Sequence, residues 1–396
     1  MSQRRPECVV LAAIAIGLSL LGAAPAFAGT PYVDGISDQN VTYWNGGVWN
    51  GGPPASPFAR FLGSTLVDTP AQPLRFARYV VAYDVMCDQG GGAYRDFRAW
   101  LQDVRALGLT PVVAFWYGDF DGNSCATLPP IPGTVAQYAD PALGVAAFLH
   151  AFPSVRIVEA WNEPNDGTGP DVTAATAAGF WSAAEQAGCT ANTCDTVIAG
   201  DFDDAQANLV AYEQQYVAAL GGVDPVDWGI HPYESVNSQT TTPLSQFYGA
   251  LPNPAGDRVW YTEVAAYYCT PTRNTQTGFT PDQLQQAQEA SAHYLVSTLM
   301  QYPFDPVHVF YYELMYKNNL AAPCAERDSA IFGPSGAAGS AAFAARSAAQ
   351  DILPLAVPAP AAAVLPPTAA PGSQLVFYPG ADWQIWGSLW RATSFG

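Results

Sequence analysis

The chain has 396 residues, of which 49% are apolar and only 12% charged, with 34 acidic side chains against 15 basic ones. This composition supplies a packed core and excludes a disordered or fibrous chain. The formal net charge of -19 repels phosphate backbones and anionic lipids, so we expect neither nucleic-acid nor membrane partners.

Residues 1–28 have the pattern of a cleaved secretory signal peptide. Two arginines precede an apolar run over residues 9–21, and Ala-Phe-Ala at 26–28 fits a cleavage site. The apolar run is shorter than the roughly 20 residues of a membrane-spanning helix. We therefore predict a secreted protein, not attached to the membrane after cleavage, whose mature chain begins at Gly29.

Short runs rich in β-branched and aromatic residues alternate with longer stretches of helical period. The runs predict eight strands, at 32–37, 76–84, 110–117, 156–161, 196–201, 226–231, 259–263 and 307–312. The intervening stretches predict helices at 57–63, 92–107, 139–152, 172–187, 205–220, 243–251, 281–302 and 337–352.

This alternation is typical of a parallel sheet with crossover helices. Eight strand-helix units match a (β/α)8 TIM barrel, which takes about 250 residues plus loop insertions. An open doubly wound sheet is the alternative, but it usually carries a glycine-rich phosphate loop, and neither common form of that motif occurs here. We predict one (β/α)8 domain over residues 29–353.

The composition changes after the predicted barrel. Residues 354–371 are mostly Ala, Pro and Val, which indicates a semi-rigid linker or strap. Residues 372–396 are too few for an independent domain. Their Trp383, Trp386 and Trp390 have the spacing of one helical face packed on the barrel, with a small sugar-stacking appendage as the alternative.

Two glutamates end strands that lie across the barrel from each other. The loops after the strands of a TIM barrel build its active site. Glu163 follows the fourth strand in a W-N-E-P motif, and Glu263 ends the seventh in Y-T-E. Glycosidic bond cleavage needs two such carboxyl groups, one to protonate the leaving oxygen and one to attack or to activate water.

This combination resembles clan A of the retaining glycoside hydrolases, over the whole barrel. The sequence E-A-W-N-E-P-N at 159–165 is especially similar to the fourth-strand signature of family 39, and also to those of families 5 and 51. The resemblance implies that Glu163 is the general acid/base and Glu263 the nucleophile. It also implies that Asn162 binds the sugar 2-hydroxyl.

The H-P-Y motif after the sixth strand matches the same clan. It implies that Tyr233 donates a hydrogen bond to the nucleophile and that His231 belongs to the site. The alternative for His231 is a hydrogen bond to a neighbouring strand.

Two aromatic residues at strand ends are candidates for stacking on a sugar ring. Trp116 ends the third strand, with core packing as its alternative. Tyr312 ends the eighth strand, where many clan members have a tryptophan, and Glu313 adds a third carboxylate beside it. A second departure is on strand two, where many members carry a late arginine but Arg75 and Arg78 come early.

Other acidic residues are expected to play structural or solvated roles. Glu159 lies within the fourth strand, which predicts an ion pair with an arginine. No cluster of His, Cys and carboxylates at ligand spacing indicates a metal, and we predict no cofactor. The aspartates at the strand ends are expected to be solvated loop charges: Asp34, Asp38, Asp84, Asp119, Asp201, Asp203 and Asp204.

Six cysteines remain after signal cleavage, an even number that suits an oxidising compartment. They form no C-x-x-C pairs, so zinc is a poor interpretation. With the barrel assumed, adjacent strands have adjacent loops, which predicts three disulfides: Cys87–Cys125, Cys189–Cys194 and Cys269–Cys324.

The sequence thus predicts a secreted, monomeric retaining glycosidase that cleaves β-linked oligo- or polysaccharides by double displacement. A transglycosylase using the same residues is one alternative. A non-catalytic carbohydrate-binding barrel is another, although a pure binder has no need of a paired acid and nucleophile. Loop shape sets sugar specificity in such barrels, so no single residue identifies the sugar.

Overall fold

The computed structural model of the chain describes residues 32–37, 74–120, 123, 125–166, 172–189, 194–269, 280–313, 328–330, 332–334, 343–345, 348, 352, 374–379 and 385–390. The predicted signal peptide, the predicted linker and the predicted helix at 57–63 lie outside these residues, as does most of the helix predicted at 337–352. Within the described parts, no helix is both long and apolar enough to cross a membrane.

Eight parallel strands close into a barrel in chain order, with the eighth strand pairing with the first. The predicted (β/α)8 barrel is therefore confirmed, and each strand end lies within three residues of its predicted position. The strands are β1 Gly35–Ser37, β2 Phe76–Ala82, β3 Thr110–Trp116, β4 Ile157–Glu159, β5 Thr196–Asp203, β6 Asp227–His231, β7 Arg258–Val264 and β8 His308–Tyr311.

Helices connect the strands. The eighth of them begins where Thr280 accepts a hydrogen bond from the Gln283 backbone and the Gln283 side chain accepts one from the Thr280 N–H, which forms a capping box. The helices are α1 Gly92–Ala106, α2 Val135–Tyr138, α3 Val145–Ala151, α4 Ala174–Cys189, α5 Leu209–Ala219, α6 Tyr233–Asn237, α7 Thr242–Ala250 and α8 Pro281–Tyr294.

The helix predicted at 139–152 forms only in part, because α3 begins at Val145. The Asp140 carboxylate accepts hydrogen bonds from the backbone N–H groups of Ala142 and Leu143, at 2.8 and 2.9 Å. Such side-chain bonds compete with the backbone bonds of a helix and favour a turn. The chain therefore turns between α2 and α3.

The helical face predicted through the C-terminal tryptophans is wrong where the structure describes it. Trp386 and Trp390 lie in a strand that pairs with the segment before it, while Trp383 lies outside the described residues. The β-branched and aromatic residues of both segments favour strands. Two antiparallel pairs thus follow the barrel: β9 Phe332–Pro334 with β10 Phe343–Ala345, and β11 Gln374–Pro379 with β12 Ile385–Trp390.

The barrel interior changes from apolar to polar toward the C-terminal ends of the strands. Phe76 and Ile157 pack against a buried apolar cluster in the lower interior. Because side chains alternate along a strand, the residues two positions later also face inward. These residues are Arg78 and Glu159, and both are fully buried. A polar layer therefore lies beneath the predicted active site.

One buried carboxyl group lies outside this polar layer. Glu213 on α5 is buried, and among the described residues neither of its carboxylate oxygens has a hydrogen-bond partner. Burial raises the pKa of Glu213 to about 9. The folded protein therefore holds this side chain protonated at neutral pH, whereas the unfolded chain ionises it above its ordinary pKa.

We expect Glu213→Gln to stabilise the protein at pH 7 by about 2–3 kcal/mol. Because only the unfolded chain ionises Glu213, each pH unit above the pKa of the unfolded state lowers the free energy of unfolding of the wild type by about 1.4 kcal/mol. Near pH 4, where both states hold the proton, the gain should vanish. Urea unfolding at the two pH values measures this, with Glu289→Gln on the exposed face of α8 as the control. An equal effect at both pH values would contradict the buried-proton explanation.

Candidate active site

Glu163 lies just after β4 with a left-handed backbone, at φ 46°. Non-glycine residues rarely adopt this conformation, and such strain concentrates at functional sites. The Glu163 N–H donates to the Asp201 carbonyl at 3.1 Å, and the Glu163 carbonyl accepts from the Asp166 N–H at 3.0 Å. These bonds hold the strained turn in place.

The Glu163 carboxyl is paired with His231, whose Nδ1 lies 2.8 Å from Glu163 Oε1. Burial raises the pKa of Glu163 to about 7, since it outweighs the opposite effect of His231. Burial alone would lower the pKa of His231, but the charges of Asp201 and Glu263 raise it well above its usual value. Nδ1–H then donates to Oε1, and the proton of Glu163 is carried by Oε2.

Glu263, the second-last residue of β7, lies among three hydrogen-bond donors. Arg78 Nη1 and the Tyr233 hydroxyl make short contacts with its carboxylate, and Ser37 Oγ donates to Oε1 at 3.1 Å. Burial would raise the pKa of Glu263, but Arg78, His231 and Tyr233 together hold it below its usual value. The predicted bond from Tyr233 to Glu263 is present.

The two glutamates and His231 form one compact group. One carboxylate oxygen from each glutamate and a nitrogen of His231 all lie within 4.8 Å of one another. The glutamate side chains are 17% and 10% exposed, whereas His231 is fully buried. The group therefore presents one protonated and one ionised carboxyl to the same partly open space.

Arg78 is the functional residue that the sequence analysis missed. Arg78 does come early in β2, as the sequence indicates, but its long side chain reaches from there to Glu263. Nη2 also donates to Asn162 Oδ1 at 2.7 Å, to Glu159 at 2.6 Å and to Asp201 at 3.0 Å. The signal available in the sequence was the position of Arg78, two residues after Phe76, because alternation along a strand turns both side chains to the barrel interior.

The predicted ion pair of Glu159 with an arginine is confirmed, since Nε and Nη2 of Arg78 both donate to it. Arg78 also orients Asn162: because Oδ1 accepts from Arg78, the amide nitrogen is left for another acceptor. Burial raises the pKa of Glu159 to about 8 against the effect of Arg78.

The two aromatic candidates lie on different sides of the site. Tyr312 packs against a cluster of Tyr233, Ala265 and Tyr267 and so lies on the Glu263 side. The rings of Tyr233 and Tyr267 stack with centroids 5.9 Å apart. Trp116 follows Phe115, whose carbonyl accepts from the Asn162 N–H at 2.8 Å. It is partly exposed and contacts Tyr117 and Phe120 with ring centroids 4.7 and 5.0 Å away, as part of the core edge.

Most of the aspartates expected to be solvated loop charges are buried, so that expectation is wrong for them. Asp204 accepts from the N–H groups of Glu234 and Ser235 and thereby caps α6, which carries Tyr233. Asp119 is exposed as expected, and Asp38 lies outside the described residues. The buried ones are Asp34, Asp84, Asp201, Asp203 and Asp204. Glu313 is buried as well.

Two groups of side chains have metal-compatible distances, which the linear spacing did not indicate. They are Glu159, Asp201 and His231, and the group of Glu163, His231 and Glu263. The same carboxylates have cationic partners in Arg78 and His231. These two cations supply the charge balance that a metal ion would otherwise provide.

One predicted disulfide is present, between Cys87 after β2 and Cys125 after β3, with Cα atoms 5.5 Å apart. Cys269 is also disulfide-bonded, and its predicted partner Cys324 lies outside the described residues. Cys194 is buried, but the side chain of Cys189 is not among those described. The pairing of Cys189 with Cys194 stays a prediction.

No protein-family model matches the sequence, and no curated protein is significantly similar to it. Solved structures do resemble the fold. A monomeric β-xylosidase from Caulobacter crescentus CB15 has a TM-score of 0.52 at 12% identity, over 82% of this chain and 68% of that one. A conserved exported protein from Bacteroides fragilis has a TM-score of 0.54 at 9% identity, over 82% and 79%.

A family 39 glycoside hydrolase from Bacteroides cellulosilyticus WH2 also matches, with a TM-score of 0.47 at 14% identity. The match covers 82% of this chain and 64% of that enzyme, so this chain spans less than two thirds of its length. At these identities, the similarity of the first two structures shows that the chain shares their barrel fold.

Proposed function

We propose that this chain is a retaining glycoside hydrolase of clan A that cleaves β-glycosidic bonds in oligo- or polysaccharides. The observation that carries the proposal is the split between two neighbouring carboxyl groups, with the pKa of Glu163 raised to about 7 and that of Glu263 lowered. Environments that push two carboxyl pKa values apart are the mark of an acid and a nucleophile.

In the first step, the Glu263 carboxylate attacks the anomeric carbon and forms a glycosyl-enzyme ester. The bond from that carbon to the leaving oxygen breaks as Glu163 transfers its proton to the oxygen. In the second step, water gives a proton to the Glu163 carboxylate and attacks the same carbon. The ester bond breaks, which releases the sugar and restores both carboxyl groups.

The spacing of the carboxyl groups supports retention over inversion. One oxygen of Glu163 lies within 4.8 Å of one oxygen of Glu263, which is compatible with the separation of about 5–5.5 Å between the carboxyl groups of retaining enzymes. Inverting enzymes need about 6.5–9.5 Å to admit a water molecule between acid and base. A direct attack by Glu263 is therefore favoured.

Asn162, Trp116 and Tyr312 are the residues we assign to sugar binding. The Asn162 amide nitrogen, oriented by Arg78, can hydrogen-bond a sugar hydroxyl beside Glu263. Trp116 and Tyr312 are both partly exposed, and aromatic side chains of this kind stack on pyranose rings. The predicted signal peptide and the disulfide at the rim support secretion of the enzyme.

The stereochemistry of the first product tests this proposal. Aryl β-glycosides and β-linked polysaccharides are screened, and the first anomer released from any cleaved substrate is recorded by proton NMR. Initial release of the β-anomer is expected. Initial release of the α-anomer would overturn retention, and no cleavage anywhere in the panel would overturn the hydrolase itself.

The activity should follow a bell-shaped dependence on pH. The value of kcat/KM should rise on the acidic limb as Glu263 ionises, at a pH below the usual pKa of a glutamate. It should fall on the basic limb, above about pH 7, as Glu163 loses its proton. Steady-state rates from pH 3 to 9 measure both limbs. Glu163→Gln, assayed with a dinitrophenyl glycoside that needs no acid, should lack the basic limb; its persistence would assign that limb to another group.

A further inference from the structure

Asp201 is a fully buried aspartate that touches a partner of each catalytic glutamate. Its Oδ1 lies 3.1 Å from Nε2 of His231, which binds Glu163 through its other nitrogen. Its Oδ2 accepts from Nη2 of Arg78, which binds Glu263 through Nη1. The Asp201 carboxylate therefore contacts a partner of Glu163 and a partner of Glu263 at the same time.

The fold is locally altered to turn Asp201 inward. The pairing of β5 with β6 shifts register between Gly200 and Phe202, so Asp201 forms a β-bulge with φ of 65°. Phe202 packs against the rings of Tyr212 and Tyr216, away from the polar layer. On the neighbouring strand, a Cβ at Gly229 would lie only 2.9 Å from Asp201 Oδ1.

We propose that Asp201 is a positioning residue that keeps His231 in its cationic form and oriented toward Glu163. This inference rests on the proposed function. Asp201 also accepts a hydrogen bond from the Thr262 hydroxyl, which fixes its carboxylate. Oδ1 lies 3.1 Å from Nε2 as an ion-pair contact without hydrogen-bond geometry, so Asp201 acts on the ring through its charge. The cationic ring then directs Nδ1–H to Glu163. The acid/base thus receives a charged donor at Oε1.

The charged groups around Asp201, His231 and Glu163 determine whether the pKa of Glu163 rises or falls when Asp201 loses its charge. His231 faces Asp201, Glu163 and Glu263. Arg78 faces Asp201, Glu159 and Glu263, and Asp203 also acts on Glu163. Without the Asp201 charge, His231 loses its main stabilising anion and becomes neutral. Glu163, bonded directly to the ring, then keeps its proton to higher pH.

For Glu263, two changes oppose each other when Asp201 becomes neutral. The loss of a nearby anion favours its ionised form, whereas the loss of the His231 cation disfavours it. His231 Nδ1 lies 4.0 Å from Glu263, farther than from Glu163. The basic limb of the pH profile should therefore move more than the acidic limb.

The test is Asp201→Asn in the full chain, assayed with the best glycoside of the panel. We expect kcat to fall about 10-fold to 100-fold, a part of the 10²–10⁴-fold that general acid catalysis contributes. The basic limb of kcat/KM should move up by about one pH unit, the acidic limb by less. Asp227→Asn is the matched control, because Asp227 is also buried and bonded to an arginine, Arg258, but lies at the start of β6.

The protonation of His231 gives a readout that does not depend on activity. The chain has only 4 histidines, so nitrogen NMR of the ring can follow His231 in the wild type and in Asp201→Asn. His231 should stay doubly protonated through pH 7 in the wild type and become neutral in the variant. In the background of His231→Gln, Asp201→Asn should move the basic limb no further.

Three results separate the possible failures. A folded Asp201→Asn variant with unchanged pH limbs and a cationic His231 overturns this inference while the hydrolase proposal stands. A loss confined to KM overturns it as well. A wild type that cleaves no glycoside overturns the proposed function, and the NMR measurement then still decides whether Asp201 sets the charge of His231.

Discussion

Replacing Glu263 with alanine should lower kcat on aryl β-glycosides by about 10⁴-fold or more, equivalent to about 5–6 kcal/mol of transition-state stabilisation. The loss is large because Arg78, Tyr233 and His231 are arranged around this carboxylate, and nothing else at their centre can form the covalent intermediate. Steady-state rates of purified variant and wild type measure the effect. A residual rate within about tenfold of wild type would contradict the assignment of the nucleophile.

Glu163→Ala is the matched control, because it removes the other member of the pair. With a dinitrophenyl leaving group it should lose much less activity in the first step, since that leaving group departs without a proton. Added azide separates the two roles. It should restore Glu263→Ala by direct attack and give the α-glycosyl azide, whereas Glu163→Ala should give the β-azide from the covalent intermediate. The same anomer from both variants would contradict two distinct roles.

Arg78→Met should destabilise the protein by about 3–5 kcal/mol, the usual cost of removing one partner from a buried ion pair. Arg78 is fully buried and pairs with Glu159, Asp201 and Glu263. Its loss removes a counter-charge from all three and leaves Asp201 and Glu263 with His231 alone. The pKa of Glu263 should rise, so activity should appear only at higher pH. Urea unfolding and the acidic limb of the pH profile measure the two effects.

Arg156→Met provides the control for loss of an arginine-aspartate pair. Arg156 pairs with Asp195, but both side chains are at least half exposed, and such pairs contribute about 0–1 kcal/mol. Arg78→Lys keeps the charge with fewer donors, and should fold while still shifting the acidic limb upward. Equal stability losses at positions 78 and 156, or an unmoved acidic limb in Arg78→Lys, would refute the central role given to Arg78.

The barrel and the glutamates were predictable because both depend on local patterns. Apolar runs of strand length recur eight times, and several are followed within two residues by a polar side chain at the same rim. Glu163 and Glu263 are directly attached to two of those runs. Arg78 was missed because the search for an arginine was confined to strand ends, while a side chain of this length reaches the rim from the middle of β2.

Asp201 was missed for a different reason. Regular alternation along β5 places Ile198 and Gly200 inward and predicts Asp201 on the opposite face. The bulge breaks that alternation, and its cause is a register shift against β6 that no linear pattern reveals. The sequence G-D-F-D-D at residues 200–204 is also typical of a solvated turn. Its aspartates were therefore expected at the surface, although they are buried.

The bulge at Asp201 has a consequence for how such a site can arise in evolution. A bulge amounts to one additional residue in a strand, and the strand keeps its pairing on both sides. A single-codon insertion can therefore add an inward carboxylate to the layer below the catalytic pair, while Phe202 retains its place in the apolar packing. Alignments of related barrels should then show a one-residue gap at this point of strand five wherever the inward aspartate is missing.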